Sequence, residues 1–193
     1  MDIWALKALR PSAHPSLNRA GGEAFVGGAI CMPSLVVSEK VYRRLRELAE
    51  AKAMSVEELV LSLATEGMDP KEVAQIYWET AESLLTRAQE ELAKGNLRQA
   101  SEKMWGAAAL AVKALAHELE GRRLASHGEL WEFVGELSKR AGDVELGRLW
   151  RSASSMHVNF YEGWASREHV EDALSDVREL INRLKRLRPS KPS

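Results

Sequence analysis

Apolar residues along most of this chain recur with the 3.6-residue period of an α-helix. The period is clearest in five segments between residues 69 and 188, and residues that start or stop helices bound each segment. One such stripe consists of Leu130, Phe133, Val134 and Leu137. Five helices with short connections are typical of an antiparallel bundle, so we expect an all-α fold of that kind.

The expected helix boundaries rest on local capping signals. Asp, Asn and Ser side chains cap helix N-termini, and Gly ends helices because it adopts positive φ at little cost. The five helices are expected to run from Asp69 to about Lys94, from Asn96 to Gly121, from Ser126 to Gly142, from Asp143 to Gly163, and from Ser166 to Pro189. The second of them is rich in Ala. Because small side chains let neighbouring helices approach closely, we place it at the centre of the bundle.

The chain outside residues 69–188 divides into three parts. Residues 1–33 contain repeated Pro and Gly, which predict an irregular N-terminal arm. Residues 34–67 begin with the β-branched run "SLVV" and continue with two short helical patterns. They predict a small strand-helix-helix extension that resembles a ribbon-helix-helix module or a helical hairpin. Residues 189–193 are expected to be a tail.

The run "SLVV" at the start of the extension bears on whether residues 34–67 could bind DNA. Strands of ribbon-helix-helix modules read base edges with polar side chains, but here the run consists of Leu35, Val36 and Val37. This argues against base readout and favours a dimerisation ribbon or an apolar strap over the bundle. A DNA-binding regulator acting through residues 34–67 is therefore only a third hypothesis. Its phosphate contacts would come from Lys40, Arg43, Arg44 and Arg46.

Composition narrows the class of protein. The 193 residues are 45% hydrophobic and 28% charged, which predicts one principal soluble domain without a membrane span. The 27 basic and 28 acidic residues give a net charge of −1, so nucleic acid would need a local basic patch. The single Cys31 and the lack of a signal-peptide pattern predict a cytoplasmic protein. The five His residues show no metal-ligand spacing, so we expect no metal or other cofactor.

Three stretches of the bundle resemble a known family. They are "GNLRQASEKMWGAAALAVKALA" (95–116), "SHGELWEFVGEL" (126–137) and "LWRSASSMHVNFYEGW" (149–164). Together they resemble the archaeal PaREP family, which is itself similar to the HEPN superfamily of small helical bundles. The resemblance implies a homodimer whose helices pack around a two-fold axis.

In its active members the HEPN superfamily carries a metal-independent endoribonuclease motif, in which Arg is followed after four to six residues by His. Arg151 and His157, with five residues between them, fit this spacing. Ser152 departs from the motif, since the nucleases usually have Asn, Asp or His at that position. The resemblance thus makes Arg151 and His157 the candidate catalytic pair.

The residue types of this pair suit metal-independent cleavage of RNA. His157 could act as base or acid, because the ordinary pKa of imidazole lies near neutrality, and Arg151 could bind phosphate oxygens in a bidentate manner. On one straight helix, however, a six-residue step leaves the two side chains about 120° apart and about 9 Å apart along the axis. Either the helix breaks near Ser154 and Ser155, or a second subunit supplies the partner.

Other polar groups are expected around such a cleft. The supporting or substrate-binding candidates are Ser152, Asn159, Tyr161, Glu102 and Lys103. We expect His127 to shape the connection before its helix, and Trp105 to be a core or dimer-interface anchor.

A purely structural interpretation stands beside the catalytic one. Arg151 would then bind an acid such as Glu162, while a backbone carbonyl would satisfy His157 within a packed aromatic layer. Two main hypotheses follow: a dimeric endoribonuclease, and a non-catalytic dimeric module that binds nucleotide, RNA or a protein partner.

Overall fold

Seven α-helices make up most of residues 36–52 and 54–189, which are the residues that the computed structural model describes. They are α1 (Glu39–Ala51), α2 (Val56–Ala64), α3 (Pro70–Ala93), α4 (Leu97–Glu120), α5 (His127–Ala141), α6 (Glu145–Glu162) and α7 (Arg167–Arg186). These residues contain no strand. The predicted arm at 1–33, part of the predicted strand at 34–37 and nearly all of the tail at 189–193 lie outside the described residues.

The predicted all-α bundle is confirmed by α3 to α7. The Asp69 carboxylate accepts a hydrogen bond from the Lys71 backbone N–H at 2.8 Å, so it caps α3 as its sequence predicts. Ser126 and Glu129 form a reciprocal capping box at the start of α5. Gly121 ends α4 with φ of 60°, in the left-handed region that Gly adopts without steric cost.

Two predicted N-caps are wrong in detail. Asn96 makes no side-chain cap on α4, because its Nδ2 donates instead to Glu91 Oε2 at 2.7 Å. At α6 the N-cap residue is Val144 rather than Asp143. The Asp143 carboxylate still serves that helix, since its Oδ1 accepts from the Glu145 backbone N–H at 3.1 Å.

The predicted central position of the Ala-rich helix is confirmed. α4 packs against α3, α5, α6 and α7, and most of its side chains are buried. The approach of α3 is especially close at Gly106, where a Cβ would lie only 3.0 Å from Leu84 Cδ1. Small side chains on α4 thus bring all four neighbours near one axis.

The hairpin formed by α1 and α2 belongs to the same compact unit as the bundle, Val37–Ser193. Two ion pairs join α2 to α4. Lys113 Nζ donates to Glu58 Oε1 at 2.8 Å, and Lys103 pairs with Glu57. Glu58 and Lys113 are only 5% and 9% exposed, so this is a buried charge pair. Breaking such a pair leaves an uncompensated charge inside the protein.

Replacing Lys113 with Met should therefore lower the free energy of unfolding by about 3–5 kcal/mol, because Glu58 loses its counter-charge. The double variant Glu58→Gln/Lys113→Met should recover most of this loss, because both charges are then absent and an amide oxygen can still accept from the Ser55 N–H that caps α2. Urea unfolding followed by circular dichroism measures both effects. Lys139→Met, at an exposed position of α5, is the control. A loss under about 1 kcal/mol for Lys113→Met would place the pair among weak surface contacts.

Candidate active site

The helix that carries both candidate catalytic residues is continuous. α6 runs without interruption from Glu145 to Glu162. Ser154 Oγ donates to the Trp150 carbonyl at 2.9 Å, and Ser155 Oγ donates to the Ser152 carbonyl at 2.7 Å. Of the two alternatives, the break near these serines is wrong, because their hydroxyls bond back along the helix without displacing its backbone hydrogen bonds.

Arg151 and His157 therefore lie on different faces of one helix, about 120° apart around it and about 9 Å apart along it. The Arg151 side chain is exposed and extends back over Gly147, with Nη1 3.7 Å from the position of a Cβ there. Within the described part of the chain it makes no ion pair with Glu162, contrary to the structural interpretation. A single protomer does not bring Arg151 to His157.

His157 lies in a cluster of aromatic rings contributed by α4, α5 and α6. Its ring centroid is 5.0 Å from that of Trp105 and 4.9 Å from that of His127, and Trp105 and His127 are 5.1 Å apart. Tyr161 packs against the same imidazole, with centroids 5.3 Å apart. Two imidazoles and an indole thus contact one another pairwise.

The floor of this cluster belongs to the buried core. Trp105 projects from the central helix α4, is almost fully buried, and packs on Trp150 of α6 with centroids 5.2 Å apart. Of its two predicted roles, core or dimer-interface anchor, this agrees with the first. Among the described residues, neither indole N–H has a hydrogen-bond partner. The two His rings therefore rest on a surface fixed by the bundle core.

His127 is the residue that sequence reasoning missed. It is the first residue of α5, where we expected it to shape the connection, and the fold brings its ring against His157 with an interplanar angle of 80°. The two positions lie thirty residues apart on different helices. No local signal in the sequence reveals the contact, because it depends on how α5 and α6 pack.

The electrostatics of the cluster favour neutral His157. Burial lowers the pKa of His157, and the neighbouring charge on His127 lowers it further, while Glu58 has a smaller, opposing effect. Near neutral pH the ring is therefore held in the form that accepts a proton.

The supporting residues on α6 fall into different environments. Tyr161 borders the cluster and is exposed at its edge. Asn159 is buried, where its Nδ2 donates to Ser101 Oγ at 2.8 Å and its Oδ1 accepts from the Ala165 N–H at 2.7 Å. Both ends of this amide thus serve packing. Ser152 is half-buried and lies one position after Arg151 on α6.

Glu102 and Lys103 lie on α4, at its contact with the α1–α2 hairpin. Lys103 Nζ pairs with Glu57 and lies 3.6 Å from Glu102 Oε2. Burial raises the pKa of Glu102, and the nearby ammonium of Lys103 opposes this. These residues therefore link the hairpin to the bundle beside Tyr161, rather than joining the two imidazoles. In the described ranges no three His, Cys, Asp or Glu side chains are grouped as metal ligands.

Comparison with known proteins identifies the family. The model of the Archaeal PaREP1/PaREP8 family matches residues 76–181, which is more than half of the chain. The chain belongs to this family. The matched part of this PaREP1/PaREP8 protein contains the whole ring cluster and Arg151. The predicted membership of the PaREP family is thereby confirmed.

The chain is also similar to a protein of solved structure. The chain is 31% identical to a crystallised protein from Sulfolobus solfataricus, over 55% of this chain and 94% of that chain, with a TM-score of 0.48. No curated protein matches the chain. Over the described residues, no helix is both long and apolar enough to span a membrane.

The environment of His157 predicts its titration. Its imidazole pKa should lie below the ordinary value of 6.5, and His127→Asn should move it upward because a neighbouring charge is removed. The value should stay below 6.5, because burial is the larger cause. NMR titration of the His ring protons measures the pKa of His157 in the unmodified protein and in His127→Asn, with the urea-unfolded protein as reference. An unchanged value in His127→Asn would show that the two rings are not coupled.

The same shift predicts how stability depends on pH. When the pKa of a group is lower in the folded protein than in the unfolded protein, the unfolded protein binds more protons over the pH range between the two values. Folding is therefore most favourable above the pKa of the unfolded protein, and it becomes less favourable as the pH falls towards the pKa of the folded protein. The free energy of unfolding should therefore decrease as the pH is lowered from 7 through 6.5 and below. His157→Gln should reduce this decrease in urea unfolding curves. A pH dependence identical to that of the unmodified protein would contradict the shift.

Proposed function

We propose that this PaREP1/PaREP8 protein is a homodimeric, metal-independent endoribonuclease of the HEPN type. The observation that carries the proposal is the contact between the His157 and His127 rings, 4.9 Å apart on the surface of Trp105. Metal-independent cleavage needs one group that accepts a proton and one that donates a proton. Two adjacent imidazoles with different environments are suited to these two tasks.

The reaction would proceed by attack of a ribose 2′-oxygen on the adjacent phosphorus. Neutral His157 accepts the 2′-hydroxyl proton as the new O–P bond forms. His127, in its protonated form, donates a proton to the 5′-oxygen as the old P–O bond breaks. The products are a 2′,3′-cyclic phosphate and a 5′-hydroxyl end, so atoms and charges balance without an oxidant, a reductant or a metal.

The phosphate-binding cation would come from a second copy of the chain. Arg151 does not reach His157 within one protomer, but Arg151 of the partner subunit would do so across a two-fold axis. Apolar side chains on the outer faces of α5 and α6 support this arrangement. Trp131, one turn after His127, is 43% exposed, and Val158, next to His157, is 44% exposed. Exposed apolar groups beside a site are typical of protein interfaces.

A non-catalytic dimeric module that binds nucleotide, RNA or a protein partner is the second candidate. The separation of Arg151 and His157 on the unbroken helix α6 favours it, as does Ser152 at a position where nucleases of this type carry another residue. Such a module would be stabilised by its ligand in a thermal-shift assay and would leave RNA intact.

The third hypothesis, DNA binding through residues 34–67, is weakened by charge pairing on α1. Each Arg of this helix lies beside a Glu of the same helix, which reduces the positive charge offered to phosphates. The pairs are Arg43 with Glu39, Arg44 with Glu47, and Arg46 with Glu50.

Cleavage of RNA in the presence of EDTA tests the proposal. Loss of a general acid or base lowers rates by about 10²–10⁴-fold, so His157→Ala and His127→Ala should each reduce cleavage by that order. Arg151→Ala should also reduce it, because the phosphate loses its cation. His169→Ala, at an exposed position on α7, is the matched control. Equal products from all variants would exclude an active site at these residues.

Mixing two inactive variants tests whether the site is shared between subunits. In a mixed dimer of Arg151→Ala and His157→Ala chains, one of the two sites retains both native residues if they come from different subunits. Random exchange should therefore restore about one quarter of native activity, since half of the dimers are mixed and half of their sites are complete. Analytical ultracentrifugation checks the dimer. No recovery in exchanged dimers would show that both residues act from one chain.

A further inference from the structure

A groove of about 290 Å³ lies between the α1–α2 hairpin, α4 and the end of α6. It adjoins the ring cluster, because Tyr161 lines the groove and also packs against His157. Its size is close to the lower limit of ligand pockets, which is about 300 Å³. We propose that this groove binds an unpaired guanine base of RNA, with Glu102 accepting hydrogen bonds from the base edge. This inference rests on the proposed function for its substrate class.

Two accessible aromatic rings provide surfaces for a base. Tyr42 of α1 is 46% exposed and Tyr161 of α6 is 58% exposed, and both line the groove. Unpaired bases stack on such rings, and every base has a flat face that allows it. Since only unpaired bases are accessible in this way, the groove favours single-stranded RNA over duplexes.

Arg98 fixes one side of the groove and offers a cation at its rim. Its Nε donates to the Phe160 carbonyl at 2.7 Å, and its Nη2 donates to the Tyr161 carbonyl at 3.1 Å. These bonds tie the end of α6 to the start of α4, so the ring of Tyr161 has a firm support. A guanidinium has five N–H donors, and this one uses two in these bonds. The remaining donors suit the phosphate next to a bound base.

Glu102 supplies the acceptor that distinguishes one base from another. It lies one helical turn after Arg98 on α4 and lines the same groove. Its nearest cation, Lys103, is 3.6 Å away and is closer to Glu57, so two carboxylates share one ammonium. The resulting negative charge disfavours phosphate at this point and favours neutral N–H donors.

Guanine matches this arrangement better than adenine. Its N1–H and its exocyclic amino group lie side by side, so one carboxylate can accept from both, while adenine offers only its amino group on that edge. A hydrogen bond to a charged group has a larger effect than one between neutral groups, so the second bond should give guanine a preference of about tenfold.

The test is the affinity of the full-length protein for 2′-O-methyl oligouridylates that carry one central guanosine or one central adenosine. These oligomers lack the 2′-hydroxyl that cleavage requires, so fluorescence anisotropy reports binding alone. The guanosine oligomer should bind about tenfold more tightly. Glu102→Gln should remove this preference. Tyr42→Ala should weaken the binding of both oligomers by roughly tenfold, because a stacking surface is lost.

Matched variants and a separate assay make the outcome decisive. Glu90→Gln and Trp164→Ala change an exposed Glu and an exposed aromatic residue outside the groove, and they should leave both affinities unchanged. Thermal unfolding confirms that all four variants fold. Equal affinity for the two oligomers, or no effect of Tyr42→Ala, overturns the groove proposal.

Cleavage of the matching all-ribose oligomers is measured in parallel. Base-selective binding without cleavage would support the groove while contradicting the endoribonuclease proposal. Cleavage that is unaffected by Glu102→Gln and Tyr42→Ala would support the endoribonuclease and overturn the groove.

Discussion

Close packing around the small side chains of α4 is the constraint on which the rest of this structure depends. Ala107, Ala108 and Ala111 are fully buried, and four helices meet along this axis. Because the neighbouring helix backbones come close to α4 at its small residues, its larger side chains lie between or beside those contacts. Trp105 is one of them and packs against the two imidazoles, and Glu102 is another and borders the groove. Both parts of the candidate site are thus built on the central, most extensively buried helix of the fold.

Charge pairs act together with apolar contacts to position the α1–α2 hairpin. Leu59 is buried and Leu61 packs against the bundle core, while Val41 and Leu63 remain about half exposed. The ion pair between Glu58 and Lys113 is directional as well as buried, so it favours one placement of α2 over a sliding contact. That placement sets the α1 wall of the groove, which links the stability of the hairpin to the proposed recognition of a base.

Continuity of α6 separates the roles of Arg151 and His157. A regular helix cannot bring residues six positions apart to one phosphate, and the serines between them do not bend it enough to change this. Two-fold symmetry offers a solution without distortion, because each subunit presents both residues on different faces. The His127 ring meanwhile lies against His157 within the same protomer. The proposed function therefore has its acid and base in one protomer and takes its cation from the partner subunit.

The sequence by itself determined the helices, the family and the central position of α4. Capping and helical periodicity act over a few residues, so Asp69, Ser126 and Gly121 mark boundaries that can be read directly. Tertiary structure decided which polar groups meet. Asn159 was a candidate for the site, but packing directs its amide to Ser101 and Ala165, and His127 joined the site through a contact between two helices. Such contacts join residues far apart along the chain, and no local rule specifies them.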